Sequence, residues 1–178
     1  HVGARTEDHD HDYGDARVSR DVMSLAEDPE IDVLVELIGG TSVAYDLTKQ
    51  AIQQGKHIVT ANKALIAEHG NELIALAEAS GVQIRFEAAV AGGIPIIKAL
   101  REAMAGNEVT AVAGIINGTG NFILTEMSTK GRAFDEVLAE AQSLGYAEAD
   151  PTFDIDGTDA AHKLVILASL AFGVPLDI

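Results

Sequence analysis

The chain has 178 residues, enough for one good-sized core or two small domains. Its formal net charge of −16 argues against nucleic acid, because phosphate contacts need clustered Lys and Arg. It does not exclude an anionic cofactor held locally by backbone N–H groups. Cysteine is absent, which removes disulfides, Cys-ligated zinc and thiol nucleophiles and fits a cytoplasmic protein.

Residues 1–15 are polar and rich in His and Asp. The histidines invite a metal, and the plainer reading is a solvated loop. Residues 18–28 predict a short helix ended by Pro29. Residues 32–38 (DVLVELI) are a nearly continuous apolar run that suits a strand buried on both faces of a parallel sheet. Gly39, Gly40, Thr41 and Ser42 lead into a helix over 43–54, closed by Gly55. A strand over 57–60 follows, then Ala61, Asn62, Lys63 and Ala64, a helix over 65–80 and a strand over 82–87. Strand, helix, strand, helix, strand is the pattern of a doubly wound α/β sheet, whose ligands bind at the carboxyl ends of the strands. Residues 39–42 and 60–63 sit there. No GxGxxG precedes Asp32, and Gly92-Gly93 comes too late with the wrong spacing, so the chain is expected to start after that fingerprint.

Beyond residue 88 the pattern changes. A small-residue loop over 88–94 precedes Pro95, which can open a helix over 96–105. A strand is predicted over 109–116, and helices over 122–129, 134–144 and 158–172. The fold expected is a partial Rossmann-type parallel sheet over 1–88, followed by an α+β region over 89–178. The longest apolar run, residues 164–176, is too short to span a bilayer and contains Gly173 and Pro175. No basic-then-apolar signal is present, and no membrane is expected.

The chemistry concentrates in residues 144–163. Glu148, Asp150, Asp154, Asp156 and Asp159 precede Lys163, which is followed by LVILASLAF. A helix apolar on every side is a buried one, so Lys163 is placed at the edge of a core. Asp159 lies four residues earlier on the same face, acid before base. An exposed ion pair is the plain reading. The apolar run favours a partly desolvated lysine tuned for proton transfer. Asp154-Ile155-Asp156-Gly157 resembles the start of a calcium loop, but the fifth and twelfth positions are Thr158 and Val165, so that reading fails. Asp156 instead caps the next helix or meets its N-terminus with its carboxylate. Lys63 is either a surface lysine or a site residue. Residues 117–121 form either a hairpin turn or a ligand loop before a helix. Residues 87–95 are either a crossing loop or a cation site of carbonyls and the Glu87 carboxylate.

Five stretches, VELIGG, GKHIVTANKALIA, FEAAVAGGIPII, NGTGNFILT and LGYAEADPTFDIDGTDAAHKLVILA, resemble homoserine dehydrogenase from residue 32 to the end, in that family's order. The resemblance implies reversible reduction of L-aspartate 4-semialdehyde to L-homoserine with NADH or NADPH, in threonine and methionine synthesis. It implies that Lys163 donates the proton, paired with Asp159, and that Lys63 stands at the cofactor–substrate junction. Glu148 would bind the substrate ammonium, with Tyr146, Asp154, Gly118 and Thr119 around it. Thr41 would pass the nicotinamide. Glu87, Val90, Gly92 and Ile94 would hold a monovalent cation, taken as sodium. A homodimer through the sheet of the second region is implied too. Without the fingerprint, and without the segment expected after Ile178, this chain alone is expected to be inactive. Arg5 is a candidate for a 2′-phosphate. Two rival readings are a non-catalytic remnant of the same fold and another Rossmann-type oxidoreductase.

Overall fold

The computed structural model describes residues 1–4 and 12–178. Arg5, and with it most of the His/Asp-rich segment, lies outside the described residues. The architecture is α/β, with short parallel sheets and many helices. Strands β1 (Val2–Gly3) and β2 (Val18–Ser19) pair in parallel, Val2 opposite Val18. That pairing takes residues 18 and 19 out of the expected helix. What remains is α1 (Met23–Glu27), whose entry is fixed by the Asp21 carboxylate accepting from the Met23 N–H at 3.1 Å.

The central sheet has the order β3 (Val33–Glu36), β4 (His57–Thr60), β5 (Ile84–Arg85), all parallel. Between β3 and β4 runs α2 (Ser42–Gln53), and between β4 and β5 runs α3 (Lys63–Ala79). On α2 the buried residues are Ala44, Leu47, Thr48, Ala51 and Ile52, the stripe that a 3.6-residue period places on one face. They pack with Leu34, Ile58 and Ile84 of the sheet and Leu65, Ile66 and Leu73 of α3 into the main core.

Burial in β3 and β4 alternates. Leu34, Glu36, Ile58 and Thr60 are buried, while Val33 is 48% and Val35 58% exposed. The expectation of a strand buried on both faces is therefore corrected. The described helices cover only the face that carries Leu34, Ile58 and Ile84, and a pleated strand presents alternate residues to opposite sides.

After β5 come a 3₁₀ turn (Glu87–Ala89), α4 (Ile96–Lys98) and a π-helical turn (Ala99–Ala103). Residues 108–117 then run without regular structure. The strand predicted over 109–116 is not formed. A strand needs a neighbour for its N–H and C=O groups, and none lies beside it among the described residues. Helices α5 (Gly118–Lys130) and α6 (Phe134–Ser143) pack on each other around Ile123, Val137, Ala141 and Ala147. A short α7 (Thr152–Ile155) leads to α8 (Thr158–Phe172).

Helix α8 lies on α3 and buries Ile166 and Leu167 in the main core. Its other side is open, with Leu164 50% exposed, so the fully buried helix that its composition predicts is corrected to a one-sided one. The chain then turns back to α3. The Asn71 side chain donates to the Leu176 carbonyl at 2.7 Å and accepts the Leu176 N–H at 3.0 Å, while Leu176 itself joins the core. Asn71→Ala would leave both Leu176 groups without these partners. It is expected to cost about 1–2 kcal/mol in urea unfolding; an unchanged midpoint would show that the return segment does not fasten α8.

Candidate active site

Two loops stand at the carboxyl ends of β3 and β4. The first, residues 37–41, turns through Gly39 (φ 77) and Gly40 (φ 67), both in the left-handed region that glycine adopts without strain. It is tied down by Glu36, which is 1% exposed. One Glu36 oxygen accepts the Ile38 N–H at 2.7 Å, and the other accepts the Thr60 hydroxyl at 2.6 Å. Thr60 lies directly opposite on β4 and in turn accepts the Asn62 N–H at 2.9 Å. Asn62 closes the connection. Its amide nitrogen donates to the Gly40 carbonyl at 2.6 Å, and its oxygen caps α3 by accepting the Leu65 N–H at 3.1 Å. Thr41, at the N-cap of α2, and Lys63, the first residue of α3, are thus set on adjoining loops.

Lys63 reaches from α3 to α8. Its Nζ lies 3.0 Å from Asp159 Oδ1. The other oxygen, Oδ2, accepts from Lys163 Nζ at 2.5 Å and from Asn117 Nδ2 at 2.9 Å. Lys163 also donates to the Ile116 carbonyl at 2.8 Å. Asn117 Nδ2 donates a second time, to Asp154 Oδ1 at 2.9 Å. Asp159 is only 7% exposed, and burial pushes its carboxyl up. The hydrogen bonds from Lys163, Asn117 and Lys63 outweigh that and hold it below the ordinary aspartate value. Two lysines and two aspartates make the cluster neutral overall.

The cluster borders a cleft of about 370 Å³ lined by Asn117, Gly118, Thr119, Phe122, Tyr146, Asp154, Asp159 and Lys163. Thr119 donates its hydroxyl to the Tyr146 carbonyl at 2.6 Å, fastening α5 to the segment after α6. Of the residues singled out in the sequence, Lys163, Asp159, Tyr146, Asp154, Gly118 and Thr119 line this cleft, and Lys63 joins it through Asp159. Glu148 is exposed and is not among the lining residues; its backbone carbonyl accepts from Gln142 Nε2 at 3.1 Å. Asp156 meets the start of α8 with its carboxylate, accepting the Thr158 N–H at 2.8 Å. Phe122 and the Ile116 carbonyl are site features that spacing does not single out, and Asn117 is marked there only as part of the 117–121 loop. A capping signal was available for Asn117, since asparagine before a helix is a preferred N-cap.

The loop after β5 leaves the same carboxyl edge, beside β4. Glu87 accepts the Ile97 N–H at 2.9 Å and the Lys98 N–H at 3.0 Å, so its carboxylate caps α4. Among the described residues no group of three or more His, Asp or Glu is placed to hold a metal, and no helix is long and apolar enough to cross a membrane.

A family model described as homoserine dehydrogenase, NAD binding domain, matches residues 2–87, and one described as homoserine dehydrogenase matches residues 95–178. A Pseudomonas aeruginosa protein named homoserine dehydrogenase is 62% identical over 176 residues, which are 99% of this chain and 41% of that protein. One from Neisseria gonorrhoeae is 61% identical, over 89% of this chain and 36% of its own length. The crystal structure of a Thiobacillus denitrificans homoserine dehydrogenase matches with a TM-score of 0.88 and 62% identity, over 90% of this chain and 37% of that one. A hyperthermophilic archaeal homoserine dehydrogenase in complex with NADPH matches with a TM-score of 0.79 and 37% identity, over 86% of this chain and 48% of that one. The chain spans about two-fifths of the length of these curated relatives.

The Asp159 cluster has a pH signature. Its folded-state pKa lies below an ordinary aspartate's 3.8, so the stability its partners lend is complete above that value and is lost as the pH falls through the lower one. Asp159→Asn is expected to cost about 1–3 kcal/mol near neutral pH. The gap to wild type should narrow as urea unfolding is repeated down to about pH 3; a constant gap rules the linkage out.

Proposed function

The chain belongs to the homoserine dehydrogenase family, and from that premise we propose that the complete protein reversibly reduces L-aspartate 4-semialdehyde to L-homoserine with NADH or NADPH. The observation that carries the reading is the Lys63–Asp159–Lys163 cluster, which joins the carboxyl edge of a parallel sheet to an open cleft.

The residues at hand fit a nicotinamide cofactor on the β3 and β4 loops. Gly39 and Gly40 leave the backbone open, with nothing within 4 Å of where a Cβ would stand on either. The 12-residue helix α2 begins directly after them, with no acidic residue in its first turn. Thr41 and Lys63 are the residues that would meet the cofactor. When bound, it supplies or takes up the hydride.

Lys163 gives its proton to the aldehyde oxygen in reduction and recovers it in the reverse direction. Asp159 holds that ammonium in place. A neutral cluster suits a substrate that carries both an ammonium and a carboxylate. Asp154, Gly118, Thr119 and Tyr146 are proposed to surround it. Glu148 is proposed for the ammonium, reached by rearrangement of the segment between α6 and α7. A sodium ion at Glu87, Val90, Gly92 and Ile94 belongs to the same proposal. There the Glu87 oxygens already accept two N–H groups, so the backbone carbonyls would supply most of the coordination. We also propose a nucleotide-binding region over 1–88 and a catalytic and dimerisation region over 89–178. The dimer would form beside residues 108–117, where Ile115 is 77% exposed. A cytoplasmic location follows from the same reading.

In the complete protein, Lys163→Ala is expected to lower kcat by about 10²–10⁴-fold while leaving the cofactor Kd unchanged, followed by nicotinamide fluorescence and absorbance. Turnover at the wild-type rate would remove Lys163 from the chemistry.

A further inference from the structure

Asn117 makes three contacts that its amide can satisfy in only one orientation. As the N-cap of α5, its Oδ1 accepts the Gly120 N–H at 2.6 Å. A backbone donor there requires the oxygen end of the amide, so Nδ2 must face the other way. It has two hydrogens, and the two acceptors in front of it are Asp154 Oδ1 and Asp159 Oδ2, both at 2.9 Å. Turning the amide over would set donor against donor at the cap and oxygen against two carboxylates in the cleft. The helix cap and the pair of carboxylates therefore lock the same side chain from opposite ends.

The residue before it completes the arrangement. The Ile116 carbonyl accepts from Lys163 Nζ, and Asp159 Oδ2 accepts from it too. An ammonium has three hydrogens, so these two contacts leave one for a ligand in the cleft. Residues 116 and 117 thus hold both halves of the Asp159–Lys163 pair. The charged and titratable groups around Asp159 are Lys163 on its own helix, Lys63 from α3, and Asp154 from α7 across the Asn117 amide, with Tyr146 in the same cleft.

We propose that Asn117 is a positioning residue for the reaction proposed above. It shares one amide between Asp154 and Asp159 and so holds the two carboxylates side by side. Asp159 then remains a pure acceptor for Lys163, with the lysine's remaining hydrogen directed into the cleft. Without the shared donor the two carboxylates repel, and Asp159 takes up a proton at higher pH. The lowering of the Asp159 pKa, in which the Asn117 hydrogen bond is one of the causes, agrees with this.

The inference rests on the proposed activity for its kinetic test, and has a second test that does not. Asn117→Asp is nearly isosteric and keeps a capping oxygen for the Gly120 N–H, but loses both donors. Asn117→Ala loses the cap as well. If Asn117 only caps α5, Asn117→Ala is the more damaged variant, and Asn117→Ser, which keeps a capping oxygen and adds no charge, behaves like wild type. If it positions the carboxylates, Asn117→Asp in the complete protein is at least as damaging as Asn117→Ala. Its kcat is then lowered about 10- to 100-fold, its cofactor KM is unchanged, and the acid limb of its pH profile moves upward. Carbon-13 NMR titration of the Asp159 carboxyl gives the readout without turnover. Its pKa should rise in Asn117→Asp. If the complete wild type fails to reduce the semialdehyde, the activity reading falls, and the titration still decides the role of Asn117. An Asn117→Asp variant with wild-type kcat or an unmoved Asp159 titration overturns the inference.

Discussion

Asp159 is the point on which the site turns. A carboxylate that is 7% exposed would normally be costly, and it is tolerated because three separate pieces of chain deliver donors to it: α3 through Lys63, its own helix through Lys163, and the start of α5 through Asn117. Lys63 can arrive only because α8 lies across α3. That packing is apolar, made by Ile166 and Leu167 in the main core, and it is fastened from behind by the Asn71–Leu176 pair. The hydrophobic contact supplies the free energy, and the polar contacts fix the orientation. The chemistry of the cleft is thus set by how two helices pack, more than by any single loop.

The two halves of the site are built by different means. On the sheet side, positions follow from strand register. Glu36 faces Thr60 because β3 and β4 run in parallel with those residues opposite, and that contact organises both strand-end loops. On the cleft side, positions follow from helix ends. Asn117 caps α5, Asp156 meets the start of α8, and Asn62 caps α3 next to Lys63. Helix termini have unpaired N–H groups that must find acceptors, so the side chains that answer that need are held more rigidly than ordinary surface groups.

Much of the sheet order was legible in the sequence. The runs at residues 32–38 and 57–60, with glycines closing each helix, suit only a parallel α/β arrangement. The Asp159–Lys163 pair was legible too, because a spacing of four is a local property of a helix. Lys63 meeting Asp159 was not, since nothing local links α3 to α8. Periodicity also overstated burial. It cannot know which face of β3 or α8 is covered, and Val35 and Leu164 are exposed for that reason. Residues 109–116 have strand composition and no partner, and composition cannot supply one. Among the acidic residues before Lys163, composition gave no way to see that Asp154 enters the cleft while Glu148 faces solvent.

The Glu36 network carries a consequence for how this sequence can change. Glu36, Thr60 and Asn62 form a chain of hydrogen bonds in which each link commits the next, and glycine at 39 and 40 is what lets the loop fold onto it. Replacing Glu36 alone strands the Thr60 hydroxyl, and replacing Thr60 alone strands a buried carboxylate oxygen. Replacing both with apolar residues removes that mismatch but leaves the Ile38 and Asn62 N–H groups without their acceptors. Substitutions at these positions should therefore be strongly non-additive, and a concerted exchange must keep an acceptor for each loop N–H as well as satisfy the buried pair.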